Sequence, residues 1–200
     1  MLGIIFGLIA SLGQGLGYAL IKRSYTELPS SIAFALSTCF GILIWVPFGL
    51  VSGVDFSSLS SVFGVALLSA LLAEAYTFYV FSKGELSLTS AVFTTYPLFT
   101  MFFSITFLGE SLTTVAFIAA IITTIGVLIT SFPEKLTRDG IKSKLYLLWP
   151  LSGAIAVGLS DTISKGVIDR TDAATFLFAL AFAQIPVALL FLKMDSFTLS

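Results

Sequence analysis

The sequence predicts an all-α membrane protein with about seven transmembrane helices. Of its 200 residues, 57% are hydrophobic and 10% are charged, and the mean hydropathy is +1.05. A soluble domain carries about 25% charged residues, and a helix needs about 20 apolar residues to cross the hydrocarbon core of a bilayer. Uncharged runs of that length recur along the chain, whereas a transmembrane barrel would show alternating segments of about 10 residues.

The predicted spans are separated by short connections, with one exception. They cover residues 2–21, 31–51, 61–82, 88–108, 112–131, 145–166 and 173–192. The exception is 132–144, FPEKLTRDGIKSK, which holds four of the ten Lys and Arg residues and is predicted to be a linker. The chain has no His and one Cys, which excludes disulfide frameworks and Cys/His metal sites. From these counts we expect no metal. We also expect no cofactor and no nucleic-acid partner.

Individual spans carry features that set them apart. The first contains the glycine pairs Gly3/Gly7 and Gly13/Gly17, whose four-residue spacing predicts close helix packing. The seventh is an uninterrupted apolar run. The other spans are distinguished by Pro29 before the second, Glu74 in the third, Pro97 in the fourth, Glu110 before the fifth and Asp161 in the sixth.

A weak internal repeat appears when the chain is shifted by 143 residues. GLGYALIK at 15–22 then lies over GLSDTISK at 158–165, and Lys22 and Lys165 each close a span that another span follows. A repeat unit of five spans and a linker inverts its second copy, as in many secondary transporters, whose sites lie between the repeats. The predicted organisation is a first repeat at 1–131, a linker at 132–144 and an incomplete second repeat at 145–200. We expect either a fragment or a chain that lacks the three last helices of a full second repeat.

The order of motifs in the fourth and fifth spans resembles the EamA type of the drug/metabolite transporter superfamily. The stretch 85–130 carries the motifs, and GLGYALIK followed by Pro29 also fits; the matching positions are Ala91, Pro97, Leu108, Gly109, Glu110, Thr113 and Gly126. The resemblance covers the whole chain and implies a ten-helix metabolite transporter. Two positions depart from the family pattern: Gln14 and Gly15 stand where members often have a tryptophan, and Ser37 and Thr38 where many have an arginine.

Glu74, in LLAEAYTFYVF, is the strongest functional candidate. It lies about 20 Å along the third predicted helix, where a charge costs roughly 3 kcal/mol on insertion scales. We expect it to face the bundle interior or a water-filled cavity, with Thr77 on the same face. The prediction is a substrate or proton site, and the alternative is a protonated or hydrogen-bonded structural acid.

Two further stretches carry polar groups inside predicted spans. Asp161 is followed four residues later by Lys165, which predicts an ion pair within one helix, with a polar site facing the first repeat as the alternative. In FTTYP, at 93–97, the proline leaves the carbonyl of Phe93 without its helical donor, and three neighbouring side chains bear hydroxyls. Such a kink either binds a polar substrate or only shapes the packing.

The predicted cavity collects these residues with two more from the first span. The substrate-binding set is Glu74, Tyr76, Thr77, Thr94, Thr95, Tyr96, Gln14, Tyr18 and Asp161, and Glu74 is also the predicted proton-coupling residue. Pro97, Gly109 and Glu110 are predicted to be structural. Glu110 falls at the membrane surface before the fifth helix, where it can accept hydrogen bonds from that helix's free N–H groups.

The predicted function is secondary active transport of a small metabolite or drug by alternating access, without enzymatic activity. We expect a multi-pass protein of the plasma membrane whose partners are its small-molecule substrate, the lipid bilayer, and either a second copy or the missing C-terminal helices. One alternative is a non-transporting assembly or scaffold subunit. Another is an intramembrane aspartyl protease, because GLSD at 158–161 is similar to a Gly-x-Gly-Asp signature. That chemistry needs two facing aspartates, and no second aspartate lies within a predicted span.

Charge and resemblance predict opposite orientations. Counting loops alternately puts eight Lys and Arg residues on one side and only Lys165 and Arg170 on the other, so the positive-inside rule places the N-terminus outside. Family members usually begin in the cytoplasm, so the resemblance implies that the N-terminus is inside.

The orientation can be tested with a Gly140→Cys variant, which places a thiol in the linker. The measurement is labelling of this thiol by a membrane-impermeant reagent in intact and in permeabilised cells. Reaction only in permeabilised cells agrees with the charge count, and reaction in intact cells contradicts it.

Overall fold

Helices make up nearly all of the structure, a computed structural model that describes residues 2–24, 28–83, 86–131 and 144–198. No strand occurs in these ranges, so the all-α prediction is confirmed. The elements in order are α1 (Leu2–Ser24), α2 (Ser30–Ser52), α3 (Leu59–Ser69), a π-helical turn (Ala70–Ala75), α4 (Tyr76–Lys83), α5 (Leu86–Phe93), α6 (Tyr96–Phe103), a second π-helical turn (Ser104–Leu108), α7 (Thr114–Ser131), α8 (Lys144–Ile168) and α9 (Ala173–Thr198).

These elements form seven helical segments, each of which overlaps one predicted span. Four stretches are long and apolar enough to cross a membrane: Ser30–Ser52, Leu59–Ser82, Thr89–Leu108 and Ala173–Asp195. Two shorter apolar helices cover Ile5–Gly17 and Thr114–Gly126. The third span runs continuously from α3 through the first π-helical turn into α4, whereas the fourth is broken between α5 and α6.

Of the four stretches long enough to cross a membrane, the most buried lies in α9, which packs between α2 and α3. Its inner face is built largely from alanines, among them Ala179 and Ala183, which contact the core that includes Phe34 and Val62. Small residues let helix backbones approach closely inside a membrane. On α2, a Cβ added to Gly49 would lie 3.0 Å from the Cβ of Phe178. Side-chain size therefore sets the distance between the two helices.

A second close contact joins α8 to α6. Gly158, Thr162 and Gly166 recur every four residues on α8 and face the fourth span. A Cβ on Gly158 would lie 2.7 Å from both the Cβ of Phe99 and the backbone nitrogen of Thr100. The Thr162 hydroxyl also lies 3.3 Å from the carbonyl oxygen of Thr100. The face is a small-xxx-small pattern that brings the two backbones together.

The glycines of α1 do not make such contacts. No atom of the described structure lies within 4 Å of a Cβ added to Gly7, Gly13 or Gly17. The prediction that these glycines mediate close packing is therefore wrong for the described part of the chain. The helix-packing glycines lie instead on α2 and α8, where large side chains of neighbouring helices fill the space that a Cβ would take.

The fourth span breaks immediately before its proline. α5 ends at Phe93, Thr94 and Thr95 form a turn, and Pro97 lies in the first turn of α6, where a missing N–H needs no replacement. The predicted interruption at the proline is therefore a two-residue turn followed by a new helix start. The turn uses the hydroxyls itself, because Thr94 Oγ1 donates to the Ala91 carbonyl (2.9 Å) and Thr95 Oγ1 to the Val92 carbonyl (2.7 Å).

The second π-helical turn ends the fourth span at Gly109. This residue adopts a positive φ of 67°, which glycine accepts without steric cost, and its N–H donates to the Ser104 carbonyl. The Glu110 amide donates to the same carbonyl oxygen at 3.3 Å. Gly109 therefore directs the chain from α6 toward α7 in the few residues between them.

One membrane side collects the loops 53–58, 109–113 and 169–172, and we call it the Asp55 side. Here Asp172 caps α9 by accepting from the Thr175 hydroxyl and amide, both at 2.7 Å. These two bonds hold the pKa of the Asp172 carboxyl below its usual range. Thr175 Oγ1 also accepts from the Asp55 amide at 2.9 Å. The loop after α2 is therefore tied to the start of α9.

Candidate functional site

A cavity of about 350 Å³ lies between the first four spans and α8. The helices around it are α1, α2, the first π-helical turn with α4, both halves of the fourth span, and α8. Its lining residues are Gly17, Ser37, Ala73, Glu74, Thr77, Phe78, Phe93, Tyr96, Val157 and Asp161. The cavity is thus shared by the predicted first repeat and the first helix of the predicted second repeat.

Glu74 occupies the first π-helical turn, at mid-span. The wider turn is uncommon and is frequently found at functional sites. Among the described residues, Glu74 accepts no hydrogen bond, and Asp161 is the charged group that acts on it electrostatically. Thr77 lies near it on the same cavity wall, as predicted from their spacing. The turn therefore presents a carboxylate without a hydrogen-bonding partner to the cavity.

Asp161 faces Glu74 across the cavity, from α8. Its Oδ2 lies 3.5 Å from the Thr100 hydroxyl of α6, and it makes no contact with Lys165. The predicted ion pair within α8 is therefore wrong. The Lys165 ammonium contacts Oε1 of Glu110 and Oδ2 of Asp169 (3.1 Å) instead. The alternative interpretation, in which Asp161 faces the first repeat, agrees with this geometry.

Glu110 also differs from its predicted local role. α7 begins at Thr114, and the side chain of Thr113 accepts a hydrogen bond from the Ala116 amide at 3.2 Å. The cap of α7 is thus a threonine, and the carboxylate of Glu110 turns toward α8 to contact Lys165. Glu110 joins the connection between the fourth and fifth spans to the sixth span.

Only part of the predicted cavity set lines the cavity. Glu74, Thr77, Tyr96 and Asp161 do. Tyr76, Thr94 and Thr95 are not among the lining residues. The Tyr76 hydroxyl pairs with Ser152 Oγ at 2.8 Å, and the two threonine hydroxyls donate to carbonyls of their own helix turn. The side chains of Gln14 and Tyr18, on α1, lie outside the described part of the chain.

Six lining residues were not predicted. Phe78 and Val157 lie one helical turn from Glu74 and Asp161, so extending the helical periodicity around each acid would have found them. Ser37 lies in the region of the second span where many proteins of the resembled family have an arginine. No local signal marks the other three, Gly17, Ala73 and Phe93, which reach the cavity through the packing of separate helices.

The lining is acidic and apolar. The ten lining residues that the structure describes include two carboxylates and no Lys or Arg, and three of them are aromatic: Phe78, Phe93 and Tyr96. Within the described ranges, no group of three or more His, Cys, Asp or Glu residues could hold a metal ion. The arrangement suits a small ligand with an apolar body and a polar or charged end.

The helical segments define an integral, multi-pass membrane protein with a cavity between its helices. Comparison with protein-family models matches residues 1–132 to the EamA-like transporter family. The chain belongs to that family, which confirms the predicted resemblance, and it is accordingly a membrane transporter, a class that is generally not enzymatic. No curated protein matches the chain, and no solved structure does.

Proposed function

We propose that the protein is a secondary active transporter that moves a small metabolite or drug by alternating access. The moving parts are the first repeat, 1–131, and an inverted second repeat that begins at residue 145, joined by the linker 132–144. In transporters of this plan, the site lies between the repeats near the bilayer midplane. The plasma membrane is the proposed location, with lipid and a second copy of the chain as proposed partners.

The observation that carries the proposal is the cavity shared by the two repeats. Glu74 belongs to the first repeat and Asp161 to the second, and both line the same space of about 350 Å³. A rocking motion of one repeat against the other would change the access to this space and the separation of the two carboxylates. A ligand held between them would then bind the two conformations differently, as alternating access requires.

A gate on the Asp55 side follows from the contacts of Lys165. This ammonium joins α8 to Glu110, at the junction of the fourth and fifth spans, and also contacts Asp169. The side chains of Lys165 and Glu110 are 47% and 32% exposed. Because exposed ion pairs contribute only about 0–1 kcal/mol, this contact is weak enough to open and close within a transport cycle.

Glu74 is the proposed proton carrier. Among the described lining residues, Asp161 and Tyr96 are the other titratable groups, and none is Lys or Arg. A carboxylate that exchanges a proton in one conformation and substrate in the other couples the two gradients. Thr77 and Ser37 supply additional hydroxyls that can hydrogen-bond a polar substrate.

The test is uptake into proteoliposomes under an imposed pH gradient. The panel contains a radiolabelled aromatic amine, an amino acid and a hexose, and we expect gradient-driven accumulation of at least one.

The Glu74→Gln variant tests the proton carrier. It preserves side-chain size and removes the ionisable group, so it should lower this uptake by at least tenfold. Asp55→Asn, which changes an exposed loop acid outside the cavity, is the matched control and should leave uptake unchanged. Full gradient-driven uptake by Glu74→Gln would remove Glu74 from the coupling mechanism, and no uptake of any compound would contradict the transport proposal.

A further inference from the structure

We propose that the cavity selects organic cations, and that Glu74 and Asp161 together bind the cationic group. The inference rests on the proposed transport function, since it names the substrate class of the same cavity. It assigns to the two acids a shared role in charge recognition. The ligand it implies is a small amine that carries an apolar or aromatic group.

The first argument is charge. The two lining carboxylates come from different helices, and neither has a basic partner among the lining residues that the structure describes. Lys165, one turn beyond Asp161, contacts Glu110 and Asp169 instead. An anionic ligand would add a third negative group beside the two carboxylates, and a neutral ligand would leave their charges uncompensated. A cation compensates both carboxylates at once.

The second argument is the hydrogen bonding of the acids. The carboxylate of Glu74 accepts no hydrogen bond from any described residue, and Asp161 has only the long contact of 3.5 Å with the Thr100 hydroxyl. Structural acids inside a membrane are normally paired with other side chains or with the backbone. Acceptors left open toward a cavity suit a ligand with several N–H donors, as a protonated amine has.

The third argument is the remaining wall. Phe78, Phe93 and Tyr96 line the same space, and aromatic faces attract cations as well as apolar groups. A volume of about 350 Å³ lies near the lower end of the range for ligand sites, about 300–1,000 Å³. An inorganic ion would need a close shell of oxygen ligands, whereas this lining is largely apolar. The wall therefore favours an amine with one aromatic ring.

The experiment is equilibrium binding to the purified full-length chain in detergent, with three probes of similar size. Phenethylamine is a cation, 2-phenylethanol is neutral, and 3-phenylpropionate is an anion. We expect phenethylamine to bind at least tenfold more tightly than either of the others. Equal or tighter binding of the alcohol or the carboxylate overturns the proposal, as does displacement of phenethylamine by Na⁺ at a concentration where an equal ionic strength of K⁺ has no effect.

Variants identify the binding groups. Glu74→Gln and Asp161→Asn should each weaken phenethylamine binding by about 10- to 100-fold, the range expected for loss of a hydrogen bond to a charged group, and should leave 2-phenylethanol binding unchanged. Asp55→Asn is again the control, and size-exclusion profiles establish that each variant is folded. Unchanged phenethylamine binding in both cavity variants overturns the assignment. Binding in detergent does not require transport, so the two proposals can fail separately. Amine binding without uptake of any compound would contradict only the transport proposal. Uptake without preferential binding of the amine would contradict only the proposal that the cavity selects cations.

Discussion

Replacing Gly158 by leucine is expected to separate α8 from α6 and to destabilise the protein by about 3 kcal/mol or more. Overpacked side chains typically cost about 1–3 kcal/mol, and here the first added carbon would already lie 2.7 Å from a backbone nitrogen, which cannot rotate away. For a chain of this length, the expected decrease in Tm is about 6–12 °C. The measurement is thermal unfolding of the purified protein in detergent.

The matched control for this prediction is Gly64→Leu. Gly64 also lies within a helix, but no atom of the described structure comes within 4 Å of an added Cβ. The change should therefore alter Tm by only a small fraction of the effect at Gly158. Equal melting temperatures for the two variants would show that the contact between α6 and α8 does not limit stability.

Cross-linking position 110 to position 165 is expected to stop transport. In a Cys39→Ser background, which removes the one native thiol, cysteines replace Glu110 and Lys165 and are joined by a bifunctional thiol reagent with a reducible spacer. If the Asp55 side must open in each cycle, the cross-link should lower uptake by at least tenfold, and reduction should restore it. Uptake into proteoliposomes before and after reduction is the measurement.

Two controls make the cross-linking result decisive. Each single-cysteine variant receives the same reagent and should retain its uptake. This control distinguishes the effect of joining positions 110 and 165 from the effect of modifying either cysteine alone. Cleavage at a protease site placed in the linker 132–144 reveals the cross-link, because only joined fragments then migrate together. Full uptake by a verified cross-linked protein would contradict a gate at this position.

The fold could be predicted because the bilayer imposes a length on every span. Each predicted span corresponds to a helical segment, including the two spans that contain Glu74 and Asp161. The break at Thr94 and Thr95 could not be located, since a proline within a run is compatible with either a kink or a new helix start. The π-helical turns leave no comparable mark in the sequence.

The candidate site could be predicted where burial itself is costly. Glu74 and Asp161 stand out because a membrane tolerates a charge only in a special environment, and both line the cavity. Predictions based on neighbours within one helix were less successful. Lys165 lies four residues from Asp161, but the folded chain offers it Glu110 from another span, and spacing along the sequence cannot rank partners that meet only through packing.

The position of Glu74 also depends on helical phase. Buried positions step by four residues from Ala66 to Ala70 and by five from Ala70 to Ala75, because the π-helical turn contains one residue more than a regular turn would accommodate. Each residue of an α-helix advances about 100° around the axis. Deleting one residue here would restore a regular helix and also rotate Thr77 and Phe78 away from the wall they share with Asp161. The length of this segment therefore fixes the orientation of the cavity wall as firmly as the identity of its side chains does.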